Sequence, residues 1–251
     1  MTEGLQGVDT IVIIPPTRPN KYESTRAIIA EAEKAGVQNA VFLSWTGTHA
    51  AQSEGMSTGG ALQCTQLVQH QSLENDFKAC KIPNKVVVRA NFFLQNFLTY
   101  AKQIVKDGKL PVPLSDGRKI APLDLQVLGQ AMARIAIQPT VSSRIQGQTI
   151  TLTGPVAVDA KEVADNLSKA LGRLVVPEKI ALSEASKLLQ QAKPGMDVTE
   201  IESLLETYAL IEHGRMDQTS SDLQEILGIH HPTLLESFQR EAPVLKQLAS
   251  A

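Results

Sequence analysis

Apolar residues in this chain are spaced in two rhythms, and the change between them marks out the elements. Gly7-Val8-Asp9-Thr10-Ile11-Val12-Ile13-Ile14 ends in an unbroken apolar run that reads as a fully buried strand. Pro15 and Pro16 stop it, because proline cannot donate to a sheet ladder. From Tyr22 to Ala35 the apolar positions move to helical spacing, at Ala27, Ile28, Ala32 and Ala35, and Gly36 closes the helix. Ala40 to Leu43 is a second strand run, ended by Ser44-Trp45-Thr46. Strand, helix, strand is a βαβ unit, which requires parallel strands.

Gly47 to Gly60 is rich in Gly, Ser, Thr and Gln without periodicity and reads as a surface loop that closes over a site. A helix over residues 61–81 follows, with Leu62, Val68 and Phe77 on its buried side. Val86-Val87-Val88 is the third strand, passing through Arg89 and Asn91 into an aromatic helical start at Phe92–Phe97. In an open α/β sheet the carboxyl ends of such strands are where ligands bind.

After Tyr100 the pattern shifts. Lys109 to Ile120 reads as two short extended pieces around the Asp116-Gly117 turn. Leu125 to Ile137 is helical, and Gln148 to Pro155 alternates as a strand does. Asp159 caps a helix that ends at Gly172, and Leu174 to Ile180 is extended. Helices then fill Leu182–Gln191, Thr199–Ile211, Ser221–Leu227 and Leu234–Leu248. The chain is therefore expected to be α/β: a parallel sheet over residues 1–108, then a smaller α/β part over 109–251 in which elements of the first fold recur.

Composition narrows the partners. At 251 residues the chain can bury a sizeable core, and its net charge of −2 supplies no basic field for nucleic acid or an anionic membrane. A small molecule or a protein is the expected partner. The two cysteines, Cys64 and Cys80, form no CxxC pair and fit a reducing, cytoplasmic setting. Residues 1–10 lack the basic flank of a signal peptide, and the apolar run after them is too short to span a bilayer. His230-His231 precedes a proline with no carboxylate or cysteine to complete a metal site, so no metal is expected.

Several stretches together carry a family likeness. They are Gly7-Val8-Asp9 before an apolar strand; the run from Ala35-Gly36-Val37 to Leu43-Ser44; His70 with Glu74 four residues on; Val88-Arg89-Ala90-Asn91-Phe92-Phe93-Leu94-Gln95-Asn96; Leu152-Thr153-Gly154-Pro155; and Thr219 to Gly228. In this order the chain resembles the NmrA-like members of the atypical short-chain dehydrogenase/reductases. The resemblance implies a Rossmann-like domain that binds NADP(H) or NAD(H), and a smaller carboxy-terminal part that walls a substrate cleft.

Such proteins begin with a strand, a GxxGxxG turn and a helix whose amino terminus holds the pyrophosphate. None of the 16 glycines here forms that fingerprint after an early strand, so the sheet is expected to be shortened at its amino-terminal side, with the Ile11–Ile14 strand left without a neighbour. Three explanations stay open: a shortened form of a normal enzyme, a member that no longer binds the cofactor, or one whose sheet a partner completes.

By the same resemblance Pro15, Pro16, Thr17, Ser44, Trp45, Asn91 and Phe92 would line the nicotinamide half of the cofactor. Their plainer roles are a strand stop for the prolines, a cap for Asn91 and core packing for the phenylalanine. His70 takes the place where relatives carry Lys or His on the helix facing the cofactor, as a hydroxyl partner or a proton relay near neutral pH. Its plainer reading is an exposed helical histidine paired with Glu74. No YxxxK is present, since Tyr22 is followed four residues on by Arg26 and Tyr100 by Ile104. Hydride transfer to a small conjugated quinone, enone or imine is the expected function; the alternative is a non-catalytic NAD(P)-responsive redox sensor that acts on a regulatory protein.

Overall fold

Thr10–Ile13 forms β1, Asn39–Trp45 forms β2, Asn84–Ala90 forms β3 and Thr149–Leu152 closes the other edge of the same sheet. The computed structural model describes residues 2–48, 65–138, 143–192 and 195–250. The four strands are all parallel, and their order follows the chain from β1 through β2 and β3 to the Thr149–Leu152 strand. Among the described residues two helices run between the first strands, α1 (Lys21–Lys34) and α2 (Thr65–Ala79). They cover one face of the sheet over a core of Ile13, Ile29, Phe42, Leu73, Phe77 and Val87, in which the Phe42 and Phe77 rings stack at 5.0 Å. This is a Rossmann-like arrangement, as the strand and helix pattern predicts.

Three local expectations change. Among the described residues β1 pairs only with β2, so it has the free edge expected of it, but it is not fully buried as its apolar run suggests: Val12 and Ile14 are 39% and 62% exposed on the face away from α1. A run of apolar residues does not reveal how many of its faces are covered. In α1 the buried residues are Lys21, Thr25, Ile29 and Ala32; of the expected positions Ala32 is buried, Ile28 and Ala35 are half-buried against the core, and Ala27 is exposed. In α2 the buried residues include Gln66, His70, Gln71 and Glu74 beside Leu67, Leu73 and Phe77, while Val68 is half-buried. Leu62, Cys64 and all but the first two residues of the Gly47–Gly60 loop lie outside the described residues.

The chain forms two compact units that do not follow chain order. The first holds residues 1–91, 126–152 and 220–229; the second holds 92–125, 153–219 and 230–251. The division at residue 108 expected from the change of pattern is drawn by chain order, whereas here residues 126–152 belong to the first unit, with Thr149–Leu152 in its sheet, and 92–108 to the second. The aromatic stretch after β3 continues as a 3-10 helix, Leu94–Tyr100, and then a π-helical turn, Gln103–Asp107, instead of one α-helix. In the second unit β4 (Lys109–Val112) pairs in parallel with a strand at Val176–Lys179. The Asp116-Gly117 turn forms, with Arg118 N–H donating to Ser115 O at 3.1 Å, but the pieces flanking it pair elsewhere, Ile120 with Val158.

Helices follow the repeat closely: α3 (Leu125–Ile137), α4 (Ala160–Leu171), α5 (Leu182–Ala192), α6 (Val198–Glu212), α7 (Asp222–Glu225) and α8 (Leu234–Ser250). Asp159 and Glu162 form a reciprocal capping box at the start of α4, and Gly172 ends it in the left-handed conformation. Gly154 of the Leu152-Thr153-Gly154-Pro155 motif has a packing reason, since a Cβ there would lie 2.2 Å from Pro122 O. Nearby, His231 Nε2 accepts from Asp124 N–H at 3.0 Å and its Nδ1–H donates to Pro232 O at 2.6 Å, which fixes the tautomer. The Asp124 carboxylate, fully buried, is held by Arg240 of α8.

Candidate functional site

The first unit brings several expected residues to the carboxyl edge of its sheet. Both α1 and α2 follow a strand, so their first turns lie at that edge, beside the end of β2. Trp45, the last residue of β2, stacks its indole on the His70 imidazole with centroids 4.8 Å apart and planes 21° from parallel. His70 is 2% exposed, and among the described residues neither ring nitrogen has a hydrogen-bond partner. Burial, and after it the Lys21 ammonium, push its pKa down to about 3 against the pull of Glu74. The exposed histidine paired with Glu74 is therefore not what the fold builds. Near neutral pH His70 is a neutral imidazole with one donor and one acceptor, and proton relay by its titration is removed from that range.

Glu74 has other partners. Arg89 of β3 reaches it through Nε at 3.1 Å and a terminal nitrogen at 2.6 Å; Lys78 donates at 2.6 Å and Ser44 Oγ at 2.9 Å. Burial works to raise this carboxyl, but the bonds from Arg89, Lys78 and Ser44 prevail and hold it below its ordinary range. Arg89, expected as a polar hinge, thus ties the end of β3 to α2. The Ser44 hydroxyl is spent on the same carboxylate.

The other expected residues fall as follows. Pro15 is buried, and Pro16 and Thr17 are half-buried, directly after β1. Asn91 is 3% exposed and its N–H continues the sheet by donating to Leu152 O at 2.9 Å. Phe92 lies in the second unit, with its ring 5.2 Å from that of Phe97 and 5.7 Å from that of Tyr208. The fold thus joins Trp45 to His70 directly and Ser44 to Glu74 one turn further along α2, keeps Pro15, Pro16, Thr17 and Asn91 in the same unit, and assigns Phe92 to the other.

Further polar residues of this unit are buried. Lys21 is 0% exposed and donates to Gln66 O at 3.1 Å and Gln66 Oε1 at 2.8 Å. The hydroxyls of Thr25, Thr46 and Thr48 and Gln71 Oε1 are buried without a hydrogen-bond partner among the described residues. Their only sequence trace is the four-residue spacing of Lys21 and Thr25 on α1 and of Gln66, His70 and Glu74 on α2, polar stripes that turn inward. Among the described residues no group of three or more His, Cys, Asp or Glu side chains is placed to hold a metal, and no helix is long and apolar enough to cross a membrane.

Buried polar atoms that lack partners cost free energy, so such atoms at the carboxyl edge of a parallel sheet are candidates for contact with a polar ligand. The stacked Trp45–His70 pair adds a flat wall. Donors and acceptors beside such a wall suit a hydroxyl-bearing ring compound, and none of them is a backbone turn of the kind that cradles a diphosphate.

A parallel sheet with helices between its strands and a polar cluster at its carboxyl edge defines a Rossmann-like α/β protein. More narrowly, the chain belongs to the NmrA-like family, whose profile matches residues 1–238. It is 32% identical over 209 residues to the NAD(P)H azoreductase of Xenophilus azovorans, a match that covers 82% of this chain and 66% of that protein. The chain thus spans just under two thirds of that relative's length. Its fold is similar to the NADPH-dependent quinone oxidoreductase of Escherichia coli solved with NADPH (TM-score 0.77, 21% identity, 95% of this chain and 78% of that one). It is also similar to NmrA, a negative transcriptional regulator solved with NAD (TM-score 0.70, 14% identity, 100% and 79%).

Proposed function

We propose that this protein is a cytoplasmic NAD(P)H-dependent oxidoreductase that reduces a small conjugated acceptor such as a quinone, enone, imine or azo compound. The observation that carries the reading is the neutral, unpartnered His70 ring stacked on Trp45 at the carboxyl edge of a parallel sheet. The activities named for the azoreductase and the quinone oxidoreductase support it. Bound NAD(P)H would supply the hydride, and one proton from water completes the two-electron reduction of a C=O, C=N or N=N bond.

The chain's own residues act by placement. His70 offers one N–H and one lone pair to a hydroxyl of the bound molecule, the Thr25, Thr46 and Thr48 hydroxyls supply further polar contacts, and Trp45 packs flat against a ring. Pro15, Pro16 and Thr17 shape the wall after β1, and Asn91 marks the end of β3. Without a YxxxK hydroxyl acid, orientation and exclusion of water supply most of the rate.

Trp45 is the only tryptophan, so its fluorescence tests the reading. Titration with NADPH and then NADH is expected to give saturable quenching at micromolar ligand, followed by turnover of a quinone or azo dye monitored by loss of nicotinamide absorbance. A folded protein, by circular dichroism, with no quenching by either nucleotide overturns the proposal for this chain.

The missing YxxxK and the likeness to a negative transcriptional regulator favour a second reading, a redox sensor that acts on a regulatory protein. It predicts nucleotide binding without turnover and a captured partner whose binding changes with NADPH. Turnover of an acceptor with no such partner rejects it.

A further inference from the structure

Lys21 breaks two local rules. It is the first residue of α1, where the helix dipole disfavours a cation, and its side chain is completely buried although an ammonium is among the groups least tolerated in an interior. Such exceptions persist where a site requires them. The ammonium donates to the backbone and the side-chain oxygen of Gln66, at 3.1 and 2.8 Å. Gln66 stands one helical turn ahead of His70, so the two share a face of α2, as Lys21 and Thr25 share one of α1.

We propose that Lys21 is a positioning residue of this site: by gripping Gln66 it fixes the first turn of α2, sets the His70 ring on Trp45, and leaves both imidazole nitrogens for the bound reactant. The inference rests on reading the cluster as a reactant site. Electrostatics point the same way. Among the described residues the charges that act on His70 are Lys21 from α1 and Glu74 from its own helix, while β2 places the uncharged Trp45 on the ring and the Ser44 hydroxyl on Glu74. Glu74 is already matched by Arg89 and Lys78, so Lys21 decides the balance after burial and opposes an imidazolium. Its grip on Gln66 and its charge thus hold one ring in one place and one protonation state.

The test is the protonation of His70 in isotope-labelled protein, read by NMR with a His70→Asn variant to identify its signal. In the wild type His70 is expected to stay neutral from pH 8 down to 4.5. In Lys21→Met the midpoint is expected to rise by about one pH unit while staying below 6.5, because burial remains. Trp45 fluorescence, flat with pH in the wild type, should then acquire a fall, since a stacked imidazolium quenches indole. Lys21→Arg, which keeps the charge, should return the midpoint to within about half a unit of the wild type.

A wild-type His70 that titrates near 6.5, or a Lys21→Met midpoint equal to the wild type, overturns the proposal. Should Lys21→Met not fold, Lys21→Gln removes the charge while keeping a donor for Gln66, and the wild-type arm stands alone. None of these measurements uses cofactor or acceptor, so they separate this inference from the reading of the site. That reading is checked by NADPH quenching of Trp45, which Lys21→Met is expected to weaken about tenfold. Absent quenching in the wild type rejects the reductase while leaving the histidine titration to judge Lys21.

Discussion

Arg89→Met gives the most informative test of how the sheet end is held. Glu74 is fully buried and accepts four hydrogen bonds, two from Arg89 and one each from Lys78 and Ser44. Breaking a buried ion pair from one side costs about 3–5 kcal/mol, because the remaining charge stays out of water. Lys78 and Ser44 stay in place, and Lys78 is 44% exposed, which sets the expectation at the low end, about 3 kcal/mol. At about 2–4 °C per kcal/mol for a chain of this size, the thermal midpoint should fall by roughly 6–12 °C.

The pH dependence carries the mechanism. The folded carboxyl of Glu74 lies below its ordinary value of 4.5, so its pairing stabilises the fold fully above that value and is lost as the pH falls through the folded one. Removing Arg89 lets burial raise the carboxyl. The destabilisation relative to wild type should therefore be largest near pH 7 and shrink toward pH 4. Urea unfolding of both proteins at pH 7.5, 5.5 and 4.2 measures it, and Arg89→Met/Glu74→Gln should recover part of the loss at pH 7.5. A penalty under 1 kcal/mol at pH 7.5, or one that grows on acidification, would refute the reasoning.

Three further outcomes are expected. Gly154→Ala should lower stability by about 1–3 kcal/mol or prevent folding, since its Cβ would press on Pro122 O at 2.2 Å; a denaturant midpoint equal to wild type contradicts that. Burial holds His231 below its ordinary value of 6.5, so the unfolded chain takes up a proton first and stability should fall as the pH drops below 6.5; His231→Gln should flatten that fall in thermal scans. Asp159→Ala should lower the thermal midpoint by about 2–4 °C and raise amide exchange in the first turn of α4, through loss of the capping box.

Where local chemistry decides an element, the sequence is enough to place it. The apolar repeat of Leu125–Ile137, and the Asp159, Glu162 and Gly172 signals of α4, depend on neighbours a turn away and come out where expected. Burial of a strand depends instead on what lies beside it. Ile11 to Ile14 reads the same whether one face or two are covered, so the exposed Val12 and Ile14 are not legible. The pairing of β4 with the Val176–Lys179 strand joins segments about 70 residues apart, and the Asp-Gly turn next to β4 carries no trace of it.

The site was half legible for the same reason. His70 and Trp45 stand out because they are rare residue types at a strand end and on the helix after it; their stacking is a tertiary fact. Lys21 and Gln66 could not stand out, because polar side chains on a helix normally face water. What turns them inward is mutual satisfaction: the ammonium needs acceptors, Gln66 supplies two, and both ends must be buried for either to be tolerated. Each residue taken singly predicts the wrong face, and only the pair predicts the right one. The same holds for Glu74, which is buried because Arg89, Lys78 and Ser44 converge on it from two strands and its own helix. Polar positions at four-residue spacing on two successive helices of a βαβ unit, opposite each other at the carboxyl edge, are thus a better sign of such a site than any one titratable residue.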